Sequence, residues 1–516
     1  RGAWFAAFVS LLGPLGSAVV SALLLYFTPA VFAFDPFVGY FSGALYDTVI
    51  DLRPLLSYRA ASLATLFAAF VVASGLERGA DGRSLQWSMA APAGLSWAGG
   101  FAMLASLGSV ALGPTLGHWQ TRETIQETLT ESTAVGRCHV LHASRLKPED
   151  AKRFARDCDA HARAIESWLA TPQHEPITVY YFSNAAEKRR LMGAARTSVA
   201  KPWRRELYVH DMGYPHPVIG HELVHALAAW MGRGPFRVAG RLGGWLPNPG
   251  LIEGLAVAAS EPRGKLTATE WAAAMEQRKI LPPVEDLFSL RFLLKSSATA
   301  YTAAGAFVQF VREAHGATTI KKWYGGGALP ALVDRSWPEL DKAFRASLAN
   351  VKLSTAAVAQ AKARFEQPGI LSRSCPHRND RWLAEAQAAL ADGDITRAQW
   401  KFRQILVSEP ASRAARIGVA RCLAQSSEAQ AAVYVERLIE DKGTDALLKR
   451  SAYELRGDVA LREGRAKDAR AAYDRAQALT TNEARLRTLE VKAFYAADDI
   501  ARPALLALLV RSEERR

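Results

Sequence analysis

The sequence predicts a multidomain, mainly α-helical chain: transmembrane helices first, then a mixed α+β domain, then an α-helical solenoid. Charge-free apolar runs fill the first quarter of the chain, while the middle carries two histidines four apart with a glutamate after the first. Late in the chain, a helical pattern returns 71 residues after its first appearance. At 516 residues the chain is too long for a single core, so two to four domains are expected. The expected boundaries are 1–117 for the membrane segment, 130–350 for the α+β domain and 378–510 for the helical repeats.

Residues 2–34 contain no charged side chain, and neither do residues 60–76 or 84–121. Runs of roughly 20 apolar residues cross a bilayer, and Trp87, Trp97 and Trp119 are of the type that settles at its interfaces. Three such runs in succession do not fit a cleaved signal peptide. The competing reading is a buried helical core. A first residue Arg1 rather than Met suggests that residues precede it. Arg53 and Arg59, read as the loop before the second run, balance Arg78 and Arg83 after it, so the positive-inside rule gives no orientation.

The stretch "GHELVHALAAW", residues 220–230, places His221 and His225 on one helix face, because positions i and i+4 lie above one another. Two imidazoles so placed can converge on one ion, and Glu222 can reach a water bound to it. Zinc lowers the pKa of such a water and polarises a carbonyl, while the glutamate takes the proton. The ordinary alternative is two solvated histidines on a helix. Catalytic zinc takes three protein ligands and leaves one position open. In "NPGLIEGLAVAAS", residues 248–260, Pro249 and Gly250 break the chain and an apolar helix follows, with Glu253 as its one charge. A lone carboxylate among Leu251, Ile252, Leu255 and Val257 is costly unless it is paired or bound to metal. The alternative is a solvent-facing glutamate in a first turn, where the helix dipole favours it. His221, His225 and Glu253 together complete a His2Glu donor set.

An H-E-x-x-H helix followed by a glutamate early in a second helix resembles the gluzincin metallopeptidases, over roughly residues 130–350. The resemblance implies a zincin-like α+β domain hydrolysing peptide bonds, with His221, His225 and Glu253 as Zn2+ ligands and Glu222 as general base. The chain departs from the family in two places. The family often has Asn directly before the third ligand, where this chain has Ile252, and thermolysin-like members have Asp four residues after it, where this chain has Val257. The residue that orients the zinc histidines is therefore not legible. "RRELYVHD", residues 204–211, reads as a short strand; in such enzymes the equivalent strand lines the cleft and takes substrate by strand addition, although a plain sheet strand fits equally. His210 and His216 nearby read as surface or loop residues. Residues 298–316 read as a helix with Tyr301 near its start, and similar peptidases place a tyrosine on a later helix to donate to the oxyanion. A core tyrosine is the commoner explanation for such a residue.

In the last third, Leu390, Gly393, Ala398 and Phe402 match Leu461, Gly464, Ala469 and Tyr473, each 71 positions later. That is about two units of 34 residues, the tetratricopeptide period. The segment resembles tetratricopeptide repeats, with small residues where paired helices approach and an aromatic packing onto the next helix. Such repeats imply a protein partner on a concave face; a lid that only buttresses the central domain is the simpler alternative.

Net charge is +14, and five arginines balance five acids before residue 115, so the whole excess falls later. It is spread along helices without the aromatic interleaving of a single-strand groove, so no nucleic-acid partner is expected. The expected partners are a peptide or protein substrate, membrane lipid and a protein on the repeats. Cys138 on a strand and Cys158 on the following helix could be bridged, which would put the peptidase and repeat domains outside the cytoplasm; two unpaired core cysteines are the alternative. The reading is a multi-pass, membrane-anchored zinc peptidase. Its competitor is a catalytically inactive membrane scaffold acting through the repeats. An intramembrane peptidase is excluded, since the motif lies about a hundred residues beyond the last apolar run, in charged sequence.

Overall fold

The computed structural model describes residues 2–42, 52–78, 84–87, 93–171, 175–260, 265–366 and 376–514. It is mainly helical, with a small sheet and a C-terminal helical repeat region. The chain divides into two compact units. The first comprises Arg1–Asp159, Pro176–Val199 and Glu206–His216; the second comprises Ala160–Glu175, Ala200–Arg205 and Pro217–Arg516.

In the first unit, helix α1 (Gly2–Phe27) leads into a hairpin, Phe32–Asp35 with Gly39–Ser42, followed by α2 (Leu52–Gly75) and α3 (Ala93–Ala111). Two helices, Leu52–Gly75 and Gly94–Ala111, are long and apolar enough to cross a membrane, and Leu12–Phe27 is apolar but shorter. They carry Leu63, Leu66, Phe70, Phe101 and Leu104 exposed, the reverse of a buried helical core. α2 and α3 meet at Gly99, where a Cβ would lie 2.7 Å from Val71. Arg53 and Arg59 belong to α2 and not to a loop. Arginine is a good helix former, and Pro54 stands in the first turn, where a missing N–H costs nothing. Asp35 is buried at the hairpin and accepts hydrogen bonds from Ser17 (2.6 Å), Ser21 (3.1 Å) and the amides of Phe37 and Val38, pinning the hairpin to α1.

Four strands of a five-stranded sheet complete this unit: β1 (Glu131–Val135), β2 (Cys138–His142), β3 (Ile177–Phe182) and β4 (Glu206–His210), with helix α4 (Pro148–Trp168) between β2 and β3. β1 pairs antiparallel with β2, whereas β2, β3 and β4 run parallel. A Cys138–Cys158 disulfide, Cα atoms 6.2 Å apart, ties β2 to α4. The strand expected at 204–211 is present as β4, but all five of its residues are buried and it has neighbours on both sides. An interior strand has no free edge, so β4 cannot take substrate by strand addition. His210 and His216 are likewise buried and not surface residues. The His216 ring bonds the His210 carbonyl at 3.0 Å and packs edge-on against Phe154. Arg122 clamps Glu206 on β4 through two nitrogens (2.5 and 2.7 Å) and also donates to the Phe27 carbonyl at the end of α1 (2.8 Å).

In the second unit, α5 (Ile219–Ala228), α6 (Pro249–Ala259) and α7 (Ser297–Tyr324) form the centre. α7 breaks at Gly316, whose φ of 80° lies in the left-handed region that glycine adopts without cost. Eight helices make the repeat region: α8 (Pro376–Ala391), α9 (Ile395–Ser408), α10 (Arg413–Ser426), α11 (Glu428–Glu440), α12 (Ala446–Arg462), α13 (Ala466–Ala478), α14 (Glu483–Ala497) and α15 (Arg502–Glu514). The matched Gly393 and Gly464 both turn with positive φ, 79° and 75°. Phe402 packs forward onto Gly418 of α10, as expected, but its counterpart Tyr473 packs back onto Gly457 of α12. The Tyr473 hydroxyl explains the difference, since it donates to Asp458 on α12 at 2.7 Å.

Candidate metal centre

α5 buries nine of its ten residues, including Glu222 and His225, and leaves His221 half-buried. α6 is started by Asn248, whose side chain accepts from the Leu251 amide (3.1 Å), with Pro249 in the first helical position. That start sets Glu253 about one turn into the helix. Gly250 allows the seat: a Cβ there would stand 1.8 Å from the Leu287 carbonyl oxygen. Farther along, a Cβ on Gly254 would lie 3.0 Å from Ala304 of α7, so Glu253 borders a tight helix–helix contact.

His221, His225 and Glu253 bring one donor atom each to within 4.8 Å of one another. His221 Nε2 lies 3.1 Å and His225 Nε2 3.8 Å from the same carboxylate oxygen, Glu253 Oε2. The two imidazoles stand 5.0 Å apart and nearly perpendicular, at 82°. Tetrahedral zinc with bonds of about 2.0–2.2 Å needs donors about 3.3–3.5 Å apart, and the two N–O distances bracket that value. One carboxylate and two imidazoles also form the donor chemistry that zinc takes in hydrolytic sites. The donor set fits the ion. The side chains are 27%, 11% and 22% exposed for His221, His225 and Glu253, so the cluster opens on one side.

Electrostatics keeps two of the three groups, His225 and Glu253, in donor form. Burial pushes His225 down to about 4, opposed only in part by Glu253, so its imidazole is neutral near pH 7. Burial favours the protonated Glu253 carboxyl, but the His221 hydrogen bond and both imidazoles outweigh it and hold Glu253 below its ordinary value. His221 is held above its ordinary value: burial lowers it, and the Glu253 hydrogen bond and the Glu222 and Glu253 charges more than reverse that.

Tyr301 is half-buried near the start of α7, its ring stacked on Phe292 at 5.7 Å. Phe292 in turn stands beside Gly250, at 3.2 Å from where its Cβ would be. Through Phe292, Tyr301 is set near the start of α6. Val257 packs on Gly305 of α7 and is half-buried, so this position offers no polar group. Two residues near the centre escaped the sequence. His161 lies against the first turn of α5, 3.0 Å from a Cβ built on Gly220. Tyr324 is buried, and its ionisation is opposed by burial and by the Glu253 charge. Neither carries a local motif; each reaches the centre only through the fold.

Residues 376–500 match the family model of the tetratricopeptide repeat-like domain. The C-terminal region is thus a tetratricopeptide-like domain, as its 71-residue spacing implied. No curated protein matches the chain. Among solved structures the chain is similar to native yeast LTA4 hydrolase, at 13% identity and a TM-score of 0.27, covering 74% of this chain and 66% of that one. It is similar also to yeast LTA4 hydrolase in complex with bestatin, at 12% identity and a TM-score of 0.25, covering 75% and 67%. The chain thus spans just under two thirds of the first of these, and similarity at this level establishes neither fold nor activity.

Proposed function

We propose that the protein is a membrane-anchored zinc peptidase of gluzincin type, with His221, His225 and Glu253 holding the metal. The observation that carries this reading is the convergence of three donor atoms, from two separate helices, within 4.8 Å. Bound zinc would supply an acidified water and a polarised carbonyl. Glu222, one position after the first ligand, is the general base that takes the water's proton and returns it to the leaving amine. Tyr301 is the proposed donor to the carbonyl oxygen as charge develops there. Tyr324, at 1% exposure, is too enclosed to meet substrate.

The domain scheme proposed is membrane helices within 1–117, a zincin-like peptidase domain over 130–350 and the repeats over 378–510. The two apolar helices support anchoring in a bilayer. The Cys138–Cys158 bridge supports an oxidising compartment, and with it peptidase and repeat domains outside the cytoplasm. The repeats are proposed to hold a protein partner or substrate, since such arrays present extended binding faces. The test is cleavage of a peptide library by the purified full chain. Cleavage abolished by a chelator and restored by zinc is expected. A zinc-replete chain that cuts nothing would favour the inactive scaffold, acting through residues 376–500.

A further inference from the structure

Between α5 and α6 the chain carries no acidic residue from Glu222 to Glu253 but three arginines, Arg233, Arg237 and Arg241, all exposed. At the tip of this connection, Leu242, Trp245 and Leu246 are 73%, 70% and 56% exposed. The tip is firmly built. Gly240 pairs with Pro247 and Arg241 with Leu246, while Arg233 bridges to Val238 at its base. Gly244 has to be glycine there, since a Cβ would lie 2.3 Å from the Arg233 carbonyl oxygen. Leu242 has a φ of 49°, in the left-handed region that a side chain rarely adopts and a glycine adopts at almost no cost. An apolar side chain is thus held in water at a position that favours its absence.

A second apolar segment adjoins the first. The Asn248 amide donates to the Phe288 carbonyl at 3.2 Å, and two residues beyond Phe288 come Leu290, Leu293 and Leu294, all exposed. Arg291 and Lys295 flank them, sharing the single carboxylate of Asp286.

We propose that this surface is a bilayer-docking patch that inserts Trp245 and the tip leucines at the interface of an anionic membrane, with the three arginines at headgroup level. Two features of this surface and one of the chain elsewhere select a bilayer as the occupant. Exposed tryptophan and leucine are the residues that partition into the interface. The arginines, for which no ion pair is recorded among the described residues, supply charge complementary to anionic lipid. The same chain carries two helices apolar enough to cross a membrane, so a bilayer is at hand. The inference uses the proposed anchoring only for the presence of that bilayer and stands apart from the metal chemistry. Its consequence is that the connection between the two ligand-bearing helices is held at the membrane surface.

The test labels the full-length chain with an environment-sensitive fluorophore through Leu246→Cys and mixes or reconstitutes it with vesicles of phosphatidylcholine alone or with phosphatidylglycerol. The unsubstituted chain labelled in parallel sets the background, and Ile500→Cys, at a site 93% exposed in the repeats, is the aqueous control. A blue shift at position 246 that is larger with phosphatidylglycerol, absent at 500, and lost on combining Arg233→Gln, Arg237→Gln and Arg241→Gln is expected. An aqueous signal at 246 in both bilayers overturns the patch. Flotation with vesicles in high salt reads the anchoring separately. A chain that floats with an aqueous 246 retains its anchor and loses the patch, and a chain that fails to float yet shifts at 246 in low salt does the reverse.

Discussion

His221 Nε2 stands 3.1 Å from Glu253 Oε2, although the two residues are 32 positions apart. That contact joins the first turn of α5 to the first turns of α6, and the account of the metal centre depends on it. Glu253→Ala removes the oxygen that both imidazoles approach. Zinc affinity is expected to fall by more than about 100-fold, beyond what losing an outer-shell partner costs. Competition with a fluorescent chelator checks it, and an unchanged affinity would remove Glu253 from the ligand set.

Glu222→Gln keeps the size of the side chain and abolishes its basicity. The variant is expected to retain zinc while peptide cleavage drops by about 10²–10⁴-fold. Cleavage at the original rate with zinc in place would assign the base elsewhere.

Gly250→Ala tests the seat of the third ligand. The added methyl would meet the Leu287 carbonyl oxygen at 1.8 Å, and a backbone atom cannot rotate away. A loss of about 1–3 kcal/mol is expected, with weaker zinc binding as α6 shifts. Thermal unfolding and metal titration read the two effects, and a variant unchanged in both would contradict the packing.

Phe402→Ala removes the ring that fills the space left by Gly418, and is expected to cost the repeat region about 3–5 kcal/mol. Hydrogen exchange localises the loss to α9 and α10. Uniform exchange across the chain would show that the repeats do not unfold as their own unit.

Much of the donor cluster was legible because residues suited to holding a metal make local patterns. The i, i+4 histidines and a single carboxylate in an apolar run are visible without knowing the fold. The repeat was legible for a similar reason, since Phe402 and Tyr473 recur at a fixed period. What failed depended on partners distant in sequence. β4 alternates like a half-exposed strand, yet neighbours on both sides and cover on both faces bury it throughout. His216 reads as a loop residue until the His210 carbonyl and Phe154 enclose it. Gly250 looked like a helix breaker, and its purpose lies with a carbonyl 37 residues later. Arg53 and Arg59 lie outside the charge-free run and so read as loop, whereas a helix can extend past its apolar run.

Cys158→Ser opens the bridge to Cys138 and is expected to cost about 3 kcal/mol for so short a loop. Because both cysteines are buried, thiol alkylation of cells quenched and denatured in the alkylating agent, before and after reduction, reads the compartment. Both cysteines should be protected until reduced; alkylation without reduction would place the Cys138–Cys158 region in a reducing space.

The most direct test of the central claim is the zinc content of the purified full-length chain, by elemental mass spectrometry, beside His221→Ala and His225→Ala. The account predicts one zinc per chain in the parent and none in either variant. A parent without zinc, or variants that keep it in full, would contradict it.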